Sequence, residues 1–181
     1  MALKLPRTIR LDVSDTFVYP SAAPAGELAV SGTFMFNGRD ETALTAKERQ
    51  AFRAGFLGID SFGWSTLVIV SEVSSEERDA SARCLAAGLV KFCGAPDEDV
   101  ALRAAEEEIV FAQTLCDHPI GTLLGLLRRV EGNNVRESFR TLHRRADQLS
   151  PAVAFELVSV EDDRNSIEEV DLGELIKRLE K

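Results

Sequence analysis

TLLGLLRRV (122–130), EGNN (131–134) and VRESFRTLH (135–143) form the stretch that decides the fold. Two β-rich runs flank a Gly-Asn-Asn turn, the pattern of a β-hairpin. A two-residue and a four-residue loop give one register, with Val130 opposite Val135. Arg128 then faces Glu137, Leu126 faces Phe139, and Arg129 faces Arg136 on the other side. Like charges directly opposite are unfavourable. Arg129 and Arg136 are therefore expected in solvent or against an acidic partner, with Arg140 further along the same face.

Upstream lie helical and β-rich segments. A helix is expected from about Asp97 to Leu115, with acids in its first turn that suit the helix dipole. Ser74-Ser75-Glu76-Glu77 reads as a capping box opening a helix through Cys84, Leu85, Leu89 and Phe92. Trp64–Val73 reads as a buried central strand. Thr45-Ala46-Lys47-Glu48 is another capping box, opening a helix to about Leu57, with Phe52 and Phe56 on one face and Gly58 as its stop. Leu28–Phe36 reads as a strand followed by an Asn37-Gly38 turn. The alternation at Ile9–Val13 predicts the first strand, extended or repeated at Thr16–Tyr19, with a loop over Pro20–Gly26.

Downstream, Val153–Val160 reads as one more strand and Glu161–Asn165 as a charged linker. Leu172, Leu175, Ile176 and Leu179 then make a helical stripe too short to hold alone, so it must dock or fray. The order β-β-α-β-α-α-β-β lacks regular βα alternation. It predicts a single α+β domain with a mixed or largely antiparallel sheet and about three helices. The domain is expected over 1–145, with an acidic extension over 146–181, docked or partly mobile, holding a short strand and helix.

The 181 residues carry 21 Lys and Arg against 30 Asp and Glu, a net charge of −9. That balance argues against indiscriminate nucleic-acid binding, which phosphate neutralisation drives. The total hides a division. Residues 128–145 hold six arginines and two glutamates, or +4, leaving −13 elsewhere. No window of 18 consecutive apolar residues suggests a membrane span, and the N-terminus lacks a secretory h-region. Three cysteines, an odd number, favour free thiols and a cytoplasmic location.

No trustworthy catalytic or cofactor motif is present, and no cofactor is expected. Cys116-Asp117-His118 has metal-ligand residue types, but Cys116 and His118 lack companions at metal-site spacing, so they are weak candidates. Gly55 to Trp64 holds three glycines and three aromatics, yet matches no dinucleotide or phosphate loop. Its aromatics could line a pocket or a partner surface.

The segments FMFNG (34–38), AFRAGFLG (51–58) and GWSTLV (63–68), with AEEE (105–108) and RESFR (136–140), carry a resemblance. Over about residues 5–145 the chain resembles a family of small alphaproteobacterial proteins of unknown function. The resemblance implies no assigned chemistry. The expectation is a soluble, non-enzymatic interaction or accessory module, its partner a protein or a second copy. Its surface would comprise Phe52, Phe56, Phe62, Trp64, Arg129, Arg136 and Arg140. The alternative is a small-molecule binder or enzyme whose apolar pocket, formed by those aromatics, takes an acidic ligand.

Overall fold

A computed structural model of the chain describes residues 2–132, 134–144 and 155–160. The strands are β1 (Leu3–Ile9), β2 (Ala29–Val30), β3 (Phe56–Gly58), β4 (Trp64–Ser65), β5 (Leu67–Val73), β6 (Leu123–Glu131), β7 (Asn134–Arg144) and β8 (Phe155–Val160). The helices are α1 (Asp15–Val18), α2 (Ala46–Ala54), α3 (Ser75–Cys93) and α4 (Glu98–Thr114). A five-stranded sheet runs β1-β5-β6-β7-β8 and a small one runs β2-β3-β4, with every strand pair antiparallel. The Arg7–Leu28 bridge joins the two at β1. The fold is α+β, as the hairpin and the missing βα alternation imply.

Residues 28–30 and 56–57 set the layers. Leu28, Val30 and Leu57 enter a core with Leu85, Leu89, Ala101, Ala105 and Ile109 of α3 and α4. Their strand neighbours Ala29 and Phe56 enter a second core with Val68, Val70, Leu124 and Leu126 of the large sheet. Side chains alternate along a strand, so both faces of the small sheet are buried.

The hairpin pairs in the expected register: Val130 with Val135, Arg128 with Glu137, Arg129 with Arg136. Several other elements move. The first strand is Leu3–Ile9; Leu11 and Val13 lie beyond it, 68% and 64% exposed. Asp15–Val18 is a helical turn. Only Ala29–Val30 of the expected Leu28–Phe36 strand is extended, because Gly32 turns left-handed (φ 77°) and Thr33–Phe36 winds into a 3-10 turn. α2 ends at Ala54, and Phe56–Gly58 is a strand. The Thr45 capping box is complete, with Glu48 Oε2 accepting from Thr45 N at 2.9 Å. At α3 only half of one forms: Ser74 accepts from Glu77 N, while Glu77 pairs with Arg7 at 2.6 Å.

β8 lies within the expected Val153–Val160 strand and forms the sheet's fifth member beside β7. The expected C-terminal helical stripe lies outside the described residues, as does the docked or mobile state of the extension.

Candidate functional site

The two faces of the β6–β7 hairpin differ in chemistry. On the inward face Arg128 is 1% exposed. Its Nε donates to Glu137 Oε1 at 2.9 Å and to Thr33 Oγ1 at 2.7 Å. Its Nη1 donates to the carbonyls of Phe52 (2.8 Å), Gly55 (3.0 Å) and Ala51 (3.3 Å), and Nη2 to that of Ser31. Thr33 Oγ1 also donates to Glu137. Arg128 thus caps the C-terminus of α2 and ties it to the end of β2. Burial pulls its pKa below the usual arginine value, opposed chiefly by Glu137.

Glu108 of α4 borders this cluster. Burial, with Glu137 and Glu107 adding repulsion, pushes its carboxyl from 4.5 up to about 7; Arg128 opposes the rise. Its Oε2 is buried and has no hydrogen-bond partner among the described residues. The folded pKa lies above the ordinary value, so folding favours the protonated form. That contribution is present in full below about pH 4.5 and is lost as pH rises through about 7. Glu108→Gln is therefore expected to stabilise the protein at pH 8, by on the order of 1–3 kcal/mol, and to change little at pH 5. Thermal melts at the two pH values check this; equal shifts at both would contradict it.

The outward face carries the other arginines. A Cβ built on Gly125 would sit 3.6 Å from the Leu67 side chain and 3.8 Å from that of Leu142, so those residues share this face. Strand alternation adds Leu123, Leu127, Ile69 and Ile9, all partly buried. Arg140 opposes Gly125, and Arg129 opposes Arg136, on the same side. Arg129 and Arg136 are exposed as expected. Arg136 approaches Glu131 at 3.5 Å, with both side chains more than half exposed. Such an exposed contact contributes little. Arg140 is partly buried, and its Nε finds no hydrogen-bond acceptor among the described residues.

The aromatics separate from these arginines. Phe52, Phe56 and Trp64 are 4%, 0% and 6% exposed and belong to the cores, so they cannot serve as surface anchors. Phe36 meets Phe52 edge-on and Trp64 at a tilt, with ring centroids 5.3 Å from each. Phe62 is partly exposed, at φ 53°, and packs on Phe92 at 5.0 Å and over Gly88. The Gly/aromatic segment is a packed corner, held by Glu27, which accepts from Asp60 N, Ser61 N and Ser61 Oγ. Among the described residues the four aromatics do not line one common pocket: Phe52 and Trp64 enter the first core, Phe56 the second, and Phe62 packs on Phe92. A cleft of about 790 Å³ has Phe36, Leu44, Phe52, Val130 and Val135 in its lining, together with polar residues such as Arg39, Asp40 and Glu41; Phe52 alone of the four reaches it.

Cys116 is 1% exposed in the second core, and burial pushes its thiol up to about 12, far from a thiolate ligand or nucleophile. The His118 carbonyl accepts from Lys4 Nζ at 2.7 Å. Among the described residues no group of three His, Cys, Asp or Glu side chains is placed to hold a metal. Local reading paired Arg128 with Glu137 but missed the carbonyl cradle. Its acceptors lie 73 to 97 residues away, and a second arginine beside Arg129 was the only signal.

A family model described as a family of unknown function (DUF6505) matches residues 1–158. No curated protein and no solved structure matches the chain. Among the described residues, no helix is long and apolar enough to cross a membrane.

Proposed function

The chain belongs to this family of unknown function, and from that premise we propose that it is a non-enzymatic binding module. Its docking surface is the arginine side of the β6–β7 hairpin, beyond the part of the sheet where Leu5 and Val73 are buried with α3 and α4, and its partner is an acidic protein segment. One observation carries the reading. Arg129, Arg136 and Arg140 share a face with partly buried leucines, while Glu137 is committed to Arg128 on the opposite side. Arginine beside an apolar centre is a typical interface composition. Of the expected surface residues, Phe62 stays available at the rim of the α3 corner, and the three core aromatics hold the scaffold. The three free thiols support a cytoplasmic location.

Affinity capture with the wild type and with an Arg129→Glu/Arg136→Glu/Arg140→Glu variant tests the reading. The wild type is expected to retain a stoichiometric acidic partner. The variant should lose it by at least about tenfold, as should the wild type in about 0.5 M salt, where exposed charges are screened. Recovery of the same proteins by both baits would sink the proposal.

A further inference from the structure

We infer that Glu108 is a proton-operated latch on the seam between α4 and the β6–β7 hairpin. Protonated, it rests against Glu137 and the seam is shut; ionised, its carboxylate turns out to water and the ring contact beside it parts. The inference is independent of the docking surface, because it concerns the opposite face of the hairpin.

The geometry of the seam carries it. Glu108 and Phe111 are three residues apart on α4 and share a helix face. Glu137 and Phe139 are two apart on β7 and share a strand face. Phe111 meets Phe139 edge-on, with ring centroids 5.8 Å apart. Glu108 is thereby set toward Glu137, whose charge it feels. One aromatic pair and one carboxyl pair close the same seam. Glu108 Oε2 is buried there with no donor among the described residues. An ionised carboxylate needs donors or water, and burial without either is costly. A protonated one supplies its own O–H, for which the Glu137 carboxylate is an acceptor.

The neighbours offer no other remedy. Glu137 is held by Arg128 Nε at 2.9 Å and by Thr33 Oγ1. The hydrogen bonds of Arg128 go to Glu137, Thr33 and the carbonyls of Ser31, Ala51, Phe52 and Gly55, and none goes to Glu108. Among the described residues the charged groups acting on Glu108 are Glu137 of β7, Arg128 of β6 and Glu107 of its own helix. Two of the three repel it. Glu108 as a whole is only partly buried, so rotation about its own side-chain bonds brings the carboxylate to water.

Burial and the repulsion set where the latch works, since they push the carboxyl from 4.5 up to about 7. The pKa is raised, so the shut form prevails below that value and is lost as pH rises through it. At pH 5 about one molecule in a hundred is ionised; at pH 8 about ten are ionised for each one protonated.

The seam can part while α4 stays in place. Ala101, Ala105, Ile109 and Ala112 are fully buried and hold the helix in the first core. Phe111 is already 38% exposed, and Phe139 is only partly buried. Above neutral pH the Phe139 ring, which also meets Phe56 at 6.3 Å, gains an uncovered edge.

The test uses the full chain with glutamate carboxyls and phenylalanine rings labelled for NMR. The Glu108 carboxyl resonance, assigned by its absence from Glu108→Gln, is expected to titrate near pH 7. The nuclear Overhauser effect between the Phe111 and Phe139 rings should be strong at pH 5 and lost at pH 8, while the amide spectrum keeps its folded dispersion. Glu108→Gln replaces the carboxyl with a neutral group that can still donate to Glu137, so it should retain the ring contact at both pH values. A ring contact that persists in the wild type at pH 8 overturns the inference, because the carboxyl then ionises in place. Loss of the contact at pH 8 alone in Glu108→Gln also overturns it, because the proton then acts elsewhere. Should that variant lose the contact at pH 5 as well, the wild-type titration decides: carboxyl shift and ring contact must follow one midpoint, and separate midpoints overturn the latch.

Discussion

Arg128→Met is expected to lower the unfolding free energy by about 3–5 kcal/mol, the usual consequence of removing one member of a buried ion pair. Methionine roughly fills the space but donates nothing. Glu137 loses its cation, and the carbonyls of Ser31, Phe52 and Gly55 lose their donor. Arg128→Lys should recover only part of the loss. An ammonium is a point charge, whereas the guanidinium reaches a carboxylate, a hydroxyl and four carbonyls from a planar fork. The loss should also depend on pH. Arg128 lowers the Glu108 pKa, so without it Glu108 and Glu137 face each other uncompensated. Protonation relieves that repulsion, and the deficit should be smaller at pH 5 than at pH 8. Urea denaturation at both pH values measures it. A loss under about 1 kcal/mol, the net value of a single neutral hydrogen bond, would mean that the cradle is not a structural lock.

Gly32→Ala is expected to lower stability by about 2–5 kcal/mol, from two separable sources. The residue sits at φ 77°, where a side chain costs about 1–2 kcal/mol. An added Cβ would also lie 2.5 Å from Leu57 Cβ and 3.1 Å from the Trp64 ring. Both neighbours are buried, so relief requires backbone movement, typically about 1–3 kcal/mol for an overpacked core. Gly38→Ala is the control. It shares the positive φ, at 72°, but nothing lies within 4 Å of its added Cβ. Comparing melting temperatures separates conformation from packing. For a chain of this size each 1 kcal/mol moves the midpoint by about 2–4 °C. Equal losses at both positions would show that the Leu57–Trp64 wall yields freely.

What local pattern controls was legible. Turn chemistry at Gly132 and the Arg128–Glu137 pairing set the hairpin register, and the Thr45 box set the start of α2. What long-range contacts control was not. The end of α2 was expected near Leu57 because Phe52 and Phe56 are spaced as helical neighbours. Its terminal carbonyls are instead satisfied by Arg128, more than 70 residues downstream, and the chain turns into β3. Phe52 and Phe56 consequently point into different cores. The first strand was misplaced because Leu3, Leu5 and Ile9 alternate as well as Ile9, Leu11 and Val13 do. The choice between them was made by pairing with β5, which a linear pattern does not contain. The outward arginines were legible because like charges in direct opposition have one favourable side. The aromatics were not, since a glycine-rich corner has the same composition whether it packs inward or lines a cleft.

The cradle around Arg128 has one more consequence, which concerns pairing errors. β6 carries Leu-Leu-Arg-Arg-Val, an apolar-rich strand in which neighbouring alignments would otherwise be close in energy. A slip by one residue sends every side chain to the opposite face. It would present Leu127 or Arg129 to the acceptors of Ser31, Phe52 and Gly55. Leucine leaves them unanswered, and Arg129 would draw Leu127 inward with it while turning Leu126 and Leu124 out to solvent. A slip by two offers Leu126 or Val130 and strands Glu137 without its cation. Only one alignment satisfies all the acceptors, so the buried guanidinium acts as a key for strand pairing. The Arg129–Arg136 repulsion that it tolerates on the other face is then fixed in place.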